Sequence, residues 1–84
     1  MLLIVFRQVM YTPDSQQLIS CSDDKTVRVW DTATGGQVKS FSTEGQIGGM
    51  EMSRDGEILT VAAGNKVIFL DTSRFILTYE NDFS

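Results

Sequence analysis

Two adjacent carboxylates, Asp23 and Asp24, are the residues of this sequence whose type and spacing most suggest chemistry. Paired acids act as general acid and general base when their surroundings push their pKa values apart. This pair lies between two runs of β-forming residues, in a tight two-residue hairpin turn where neighbouring side chains point to different sides. The sequence therefore favours a structural role, in which both residues form the turn and Asp24 caps its backbone N–H groups.

Other residues that could support chemistry lack the partners they need. Cys21 falls in a predicted strand, and the chain has no histidine to activate a thiol, so we expect it to be buried rather than nucleophilic. Gly48 and Gly49 are followed by neither Lys-Ser/Thr nor a helix start, which excludes a phosphate-binding loop. The lack of histidine also removes the usual general base and zinc ligand. We predict no catalytic, cofactor-binding or metal-binding residues, and an enzyme is the least favoured class.

The composition is typical of one small soluble domain. The 84 residues are 42% hydrophobic and 21% charged, which argues against disorder and against a membrane span. The net charge is -4 and no basic cluster is present, so the sequence carries no signal for direct nucleic-acid binding. A single cysteine excludes an internal disulfide and favours a cytosolic or nuclear setting. Residues 1–9 do not resemble a signal peptide, and we expect a strand or a truncated start.

The chain repeats itself with a period of about forty residues. Residues 13–32 align with residues 54–72, at an offset of 41 in the first part and 40 in the second. The lost residue falls in the turn where SDDK faces GNK. Self-similarity of this kind, interrupted by a single turn deletion, indicates a repeat architecture.

Each repeat contains four short runs of β-forming residues separated by turn residues. The predicted strands are 6–12, 17–22, 26–31 and 37–41, then 47–53, 57–63, 66–71 and 76–80. Within the third strand, Val27 and Val29 share one face while Arg28 and Trp30 share the other. Met50 and Met52, two residues apart, are expected to pack in the core. The scattered charges are expected on the solvated surface; they are Arg28, Arg54, Arg74 and Lys66.

The predicted fold class is all-β. Residues 1–84 are expected to form two four-stranded antiparallel blades of an incomplete β-propeller, because four strands per forty-residue unit are typical of propeller blades. The first blade is predicted at 6–42 and the second, more degenerate blade at 46–80.

The segment DDKTVRVWD resembles the core of a WD repeat, with Asp-x-Thr-apolar-x-apolar-Trp-Asp at residues 24–31. PDSQQLISCS, at 13–22, resembles the segment that precedes this core. In the second repeat Leu-Asp stands where Trp-Asp would be. The resemblance implies structural roles for Asp24, Thr26, Trp30, Asp31, Leu70 and Asp71, with the tryptophan packed between blades.

One expected feature of a WD repeat is missing. Such repeats commonly carry Gly-His in the loop before the first strand, and its histidine bridges the turn aspartate to a strand hydroxyl and the tryptophan. Here that loop reads TEGQ, at 43–46, and no histidine is present. We therefore expect an incomplete hydrogen-bonded tetrad in both repeats and less rigid blades of the same fold.

The longer pattern, from DDKTVRVWD through ILTYE, resembles two central blades of a receptor-associated branch of the WD-repeat family. That resemblance implies a non-catalytic protein-interaction scaffold of the cytoplasm and nucleus. The partners it implies are transforming-growth-factor-β kinase receptors, inhibitory Smads and the survival-motor-neuron complex, which assembles spliceosomal ribonucleoproteins.

A WD-repeat substrate receptor of a ubiquitin ligase is the alternative. Such receptors often carry Trp-Asp-x-Arg, and Ala33 and Ser73 stand at the arginine positions here.

Because two blades do not close a ring, the missing blades of the same propeller are a further expected partner. We expect a fragment that aggregates or assembles when alone.

Overall fold

The computed structural model describes residues 5–74 and the backbone of residues 76–82, and within that part of the chain every regular element is a β-strand. Expectations for residues 1–4 lie outside the described residues. The strands are β1 (Phe6–Tyr11), β2 (Gln17–Ser22), β3 (Thr26–Asp31), β4 (Gln37–Ser42), β5 (Ile47–Met52), β6 (Ile58–Ala63), β7 (Lys66–Asp71) and β8 (Ile76–Asp82).

The strands form two antiparallel four-stranded sheets, in the orders β1-β2-β3-β4 and β5-β6-β7-β8. We call them blade 1 and blade 2. Each strand pairs with the next one along the chain, as short polar turns between β-rich runs dictate. The predicted all-β class, with two four-stranded meanders, is confirmed.

Bulges recur at equivalent positions in the two blades. The ladder between the first two strands shifts at Phe6/Gln8 in blade 1 and at Ile47/Gly49 in blade 2. The ladder between the last two strands shifts at Val29/Trp30 and again at Phe69/Leu70. Because bulges twist and bend a strand, their repetition gives the two blades the same shape.

The hydrophobic core lies between the two blades. Alternation along each strand gives every blade two faces, which we call forward and rear. The forward face of blade 1 contributes Ile19, Cys21, Val27 and Val29, each no more than 1% exposed. The rear face of blade 2 contributes Ile47, Met50, Leu59, Val61, Ala63 and Leu70 to the same cluster.

The turn between β2 and β3 differs from the expected two-residue hairpin. It has three residues, Asp23 to Lys25; the Lys25 amide donates to the Ser22 carbonyl at 3.2 Å, and Lys25 takes φ +67°. A turn followed by a left-handed residue is the usual three-residue hairpin. In blade 2 only Gly64 and Asn65 join β6 to β7. The change of offset from 41 to 40 therefore has its structural cause in this turn.

Candidate interaction surface

The turns of the two blades gather along two rims. The first rim contains residues 12–16, 32–36, 53–57 and 72–74, and the second contains residues 23–25, 43–46 and 64–65. Hydrogen bonds tie neighbouring turns of the first rim together in the same way in each blade. Thr32 Oγ1 donates to the Ser15 carbonyl at 2.9 Å, and Thr72 Oγ1 donates to the Gly56 carbonyl at 2.5 Å.

Asp24 is the centre of a network on the second rim. Its Oδ1 accepts hydrogen bonds from the Ser22 hydroxyl, from Thr26 Oγ1 at 2.6 Å and from the Thr26 amide at 3.2 Å. Its Oδ2 lies 3.2 Å from Arg28 Nη2. The Ser22 hydroxyl, followed by that of Thr26, lowers the pKa of this carboxyl, so Asp24 is held as an acceptor.

Asp23 has a separate partner. Its carboxylate accepts from Arg7 Nε, on β1, and not from the residues around Asp24. The two acids thus serve different contacts, as expected for neighbours in a hairpin turn. This geometry does not form a general acid–base pair.

The remaining predicted aspartates also cap turns. Asp31 Oδ1 accepts from the Ala33 amide at 2.8 Å. Asp71 Oδ1 accepts from both the amide and the hydroxyl of Ser73, each at 2.8 Å. These carboxylates satisfy backbone donors that the end of a strand leaves open.

Two further aspartates, which the sequence analysis did not single out as site residues, have matching roles on the first rim. Asp14 accepts from Thr12 Oγ1 at 2.7 Å, and Asp55 accepts from Ser53 Oγ at 2.6 Å. Each also accepts an amide two residues on, at 3.0 Å. The signal that finds them is the repeated Thr/Ser-x-Asp before β2 and β6.

Acid is expected to destabilise the fold through these turns. A serine or threonine hydroxyl is the main cause of a lowered pKa at Asp14, Asp24, Asp55 and Asp71. A carboxylate with a lowered folded pKa stabilises the fold above its unfolded pKa, and the contribution is lost as pH falls through the folded value. We expect the free energy of unfolding, from urea titrations at several pH values, to fall below roughly pH 4. The Asp24→Asn variant should show a shallower fall, and an identical acid dependence would contradict this account.

Trp30 lies half-buried on the rear face of blade 1. Its Nε1 donates to Ser20 Oγ at 2.9 Å, and Ser20 is 2% exposed. Leu70 occupies the equivalent place in blade 2, where it is 4% exposed in the core between the blades. Among the described residues, the rear face that carries Trp30 has no second blade packed on it.

The missing histidine divides what would be one tetrad into two parts. Trp30 with Ser20 forms one part, on the rear face of blade 1. Asp24 with Ser22 and Thr26 forms the other, at the turn. Ser22 and Thr26 hydroxyls, 3.2 Å apart, satisfy Asp24 without a histidine.

The comparisons with known proteins agree with this arrangement. The family "WD domain, G-beta repeat" matches residues 6–31, which contain β1 to β3 and both parts of the divided tetrad. The chain carries a WD40 repeat.

Two known proteins are similar in sequence to most of this chain. The serine-threonine kinase receptor-associated protein of Mus musculus is 38% identical over 63 residues, covering 75% of this chain and 18% of that protein. The WD repeat-containing protein 89 homolog of Dictyostelium discoideum is 31% identical over 75 residues, covering 87% of this chain and 20% of that protein. The chain thus spans about a fifth of the length of these relatives.

Solved structures show the fold. The crystal structure of RRP9 WD40 repeats matches 98% of this chain with a TM-score of 0.86 at 15% identity, and the chain covers 27% of that structure. The structure of U3-55K gives a TM-score of 0.87 at 14% identity and 28% coverage. The two blades therefore have the fold of WD40 propeller blades.

A side-chain clamp joins the innermost strands of the two WD40 blades. Gln8 Nε2, on β1, donates to the Met50 carbonyl on β5 at 2.9 Å, and the Met50 amide donates to Gln8 Oε1 at 3.1 Å. One primary amide thus satisfies both polar groups of an edge residue. No sequence pattern indicates this contact, because a glutamine in an alternating strand is typical of a solvent-facing position.

The first rim holds a cleft between the WD40 blades. It has a volume of about 480 Å³ and a largely polar lining. The lining residues are Thr12, Pro13, Asp14, Gln16, Gln17, Asp31, Gly56, Thr72 and Ser73. Two of these lining residues, Pro13 and Gly56, pack closely, because a Cβ placed on Gly56 would lie 2.1 Å from Pro13 Cγ.

Two of the basic residues expected on the solvated surface form ion pairs with acidic residues of the chain. Arg28, whose side chain is 22% exposed, pairs with Asp24 and also donates to Gln37 at 3.3 Å. Lys66 pairs with Glu44 across the second rim at 2.6 Å. The expectation of a solvated surface is wrong for these two residues, which link elements of the fold.

The side chains that could serve as a nucleophile or bind a metal do not form a cluster in the described part of the chain. Cys21 is 1% exposed, as expected for a buried thiol, and burial raises its pKa. No three metal-ligating side chains come together among residues 5–74. Within the same described residues, no helix has the length and apolarity needed to cross a bilayer.

The hydrogen bond from Trp30 to Ser20 should contribute measurably to WD40 blade 1. Replacing Ser20 by alanine leaves the indole N–H without its partner, and we expect the free energy of unfolding to fall by about 1–2 kcal/mol. The chain has one tryptophan, so urea unfolding and the emission maximum both report on this site. A Ser40→Ala variant, on the exposed outer strand, is the control and should change little. Equal losses in the two variants would contradict the assignment.

Proposed function

We propose that this chain supplies two adjacent blades of a non-catalytic WD40 scaffold that binds other proteins through its first rim. The observation that carries the proposal is the fixed geometry of that rim. Its turns are held by aspartates that cap backbone amides and by equivalent threonine hydroxyls that donate to carbonyls of the neighbouring turn.

The charge of the first rim favours a basic partner surface. Five acidic residues lie on or beside it, against two arginines. The acidic residues are Asp14, Asp31, Asp55, Glu57 and Asp71, and the arginines are Arg54 and Arg74. Charge complementarity of this kind steers association and fixes orientation more than it adds affinity.

The resemblance to serine-threonine kinase receptor-associated proteins supports a narrower proposal. The partners would be transforming-growth-factor-β kinase receptors, inhibitory Smads and the survival-motor-neuron complex, and the setting would be cytoplasm and nucleus. The basis is likeness over 63 residues to proteins much longer than this chain.

Direct binding with purified components tests the proposal. The chain, shown to be folded by circular dichroism, is immobilised and exposed to receptor kinase domains, an inhibitory Smad and the survival-motor-neuron complex. We expect saturable binding of at least one, weakened by Glu57→Lys on the first rim and unchanged by Gln46→Lys on the second. No binding by the folded chain would refute the narrower proposal, and equal effects of the two variants would refute the role of the first rim.

A further inference from the structure

The cleft on the first rim lies between the two blades and has two carboxylates but no basic residue among its lining residues. The carboxylates belong to Asp14 and Asp31, and neither forms an ion pair within residues 5–74. The cleft volume of about 480 Å³ lies in the usual range of ligand sites. Its negative charge is therefore not balanced by the described part of the chain.

Each carboxylate is held by one oxygen and keeps the other without a hydrogen bond from the described residues. Asp14 Oδ1 accepts from the Thr12 hydroxyl and from the Gln16 amide. Asp31 Oδ1 accepts from the Ala33 amide. The turns thus fix both carboxylates in place and leave an Oδ2 on each as an acceptor for a ligand.

Two side-chain amides add to the polar lining of the cleft. The side chains of Gln16 and Gln17 have no hydrogen-bond partner within the described residues, and each offers a carbonyl acceptor. No three metal-ligating side chains come together in residues 5–74, so this set of acceptors does not correspond to a metal site. An organic cation with several N–H donors fits it better.

Blade 2 has an arginine where blade 1 has none. Asp71 is the equivalent of Asp31 and caps its turn in the same way. Hydrogen bonds from Ser73, and then the charge of Arg74, lower the pKa of the Asp71 carboxyl. The blade 1 equivalent of Arg74 is Thr34, which has no charge. Asp31 therefore lacks the basic neighbour that its equivalent has.

The same difference recurs at the other acid of the cleft. Asp55 is the equivalent of Asp14; Arg54 precedes it, whereas Pro13 precedes Asp14. The Thr12 hydroxyl, and then backbone amides, lower the pKa of Asp14, and no basic side chain contributes. In blade 2 each of the two acids thus has an arginine close to it in the chain, and the two acids that line the cleft have none.

We propose that the cleft binds an arginine side chain of a partner protein, in place of the basic residues that blade 1 lacks. This rests on the proposed function, since it names the group that a basic partner inserts into the first rim. A guanidinium has five N–H donors in a planar fork and pairs with a carboxylate through two parallel hydrogen bonds. It is also more weakly hydrated than an ammonium group, so arginine suits a partly enclosed cleft better than lysine does.

NMR titration of the folded 84-residue chain with short blocked peptides tests the proposal. The probe is a pentapeptide with a central arginine between Gly-Ser and Ser-Gly, and the two comparison peptides carry lysine or citrulline at the centre. We expect saturable shifts of the Gln17, Gly56 and Ser73 amides, and at least about tenfold weaker binding of citrulline, which keeps the shape of arginine without its charge. Equal binding of either comparison peptide, or shifts confined to the second rim, would overturn the proposal.

Paired variants locate the site. Asp31→Asn should weaken binding of the arginine peptide about three- to tenfold, whereas Asp71→Asn, at the equivalent acid outside the cleft lining, should leave it unchanged. Thr34→Arg gives blade 1 the basic residue of blade 2 and should also weaken binding, because the new guanidinium competes for Asp31. Thr34→Gln loses the same hydroxyl without adding charge and is its control. Circular dichroism confirms that each variant is folded.

The two levels of the proposal fail in different ways. Partner proteins that bind the first rim but are weakened equally by Asp31→Asn and Asp71→Asn would support the rim and overturn the arginine site. An arginine peptide that binds and responds to Asp31→Asn alone would support the cleft even if the named partner proteins do not bind. No binding of the arginine peptide to the folded chain would overturn the arginine site whatever the partner proteins do.

Discussion

Replacing Gly56 by alanine is expected to lower the free energy of unfolding by about 2–4 kcal/mol. Two effects add at this position. Gly56 takes φ +76°, a left-handed conformation that costs a residue with a Cβ about 1–2 kcal/mol. The new Cβ would also lie 2.1 Å from Pro13 Cγ and 2.9 Å from its Cδ, so the blades would have to separate or Pro13 would have to move.

Gly35 provides a matched control for the backbone effect. It takes φ +77°, and a Cβ built on it meets no atom within 4 Å. The Gly35→Ala variant should therefore lose only about 1 kcal/mol. In a Pro13→Ala background, the Gly56→Ala loss should fall towards the Gly35 value, because the ring that causes the collision is gone. Equal losses for Gly56 and Gly35 in the unaltered chain would mean that the two turns are not in contact.

The strands and the buried faces follow from the sequence because they depend on local properties. Alternation in TVRVWD places Val27 and Val29 on one face, and both are 0% exposed. Turn residues delimit the strands, and the repeat offset indicates two equal blades. Asp24 and Asp71 could be assigned to turns for the same reason, since an aspartate in a turn or at the end of a β-run hydrogen-bonds the backbone two residues on.

The contacts between the blades do not follow from local pattern. The Gln8 clamp joins residues 42 positions apart, and the Pro13–Gly56 packing joins turns of different blades. Such pairs depend on how two sheets stack, which neither periodicity nor turn chemistry encodes. The repeat indicates which positions are equivalent, and the position equivalent to Gln8 is Gly49, which has no side-chain amide. The repeat therefore does not indicate the clamp.

Replacing Gln8 by methionine, which has similar length and no amide, should lower the free energy of unfolding by about 2–3 kcal/mol. Two hydrogen bonds are lost, and the Met50 amide and carbonyl are left unpaired beside an apolar side chain. Gln46→Met, at an exposed position on the second rim, is the control and should change stability by less than about 0.5 kcal/mol. Urea unfolding of both variants at one protein concentration measures the difference.

Hydrogen exchange at the Met50 amide separates the clamp from a general loss of packing. Met50 lies on an edge strand, and its amide donates to Gln8 Oε1 rather than into a sheet ladder. This amide should be protected in the original chain and exchange at least about tenfold faster after Gln8→Met, since its acceptor is removed. Amides of β2 and β3, which donate within blade 1, should accelerate only as much as global stability requires. If Met50 accelerates no more than they do, Gln8 stabilises the junction by packing and the hydrogen bonds contribute nothing specific. Selective acceleration would instead identify Gln8 as the residue that holds the inner strands of the two blades together.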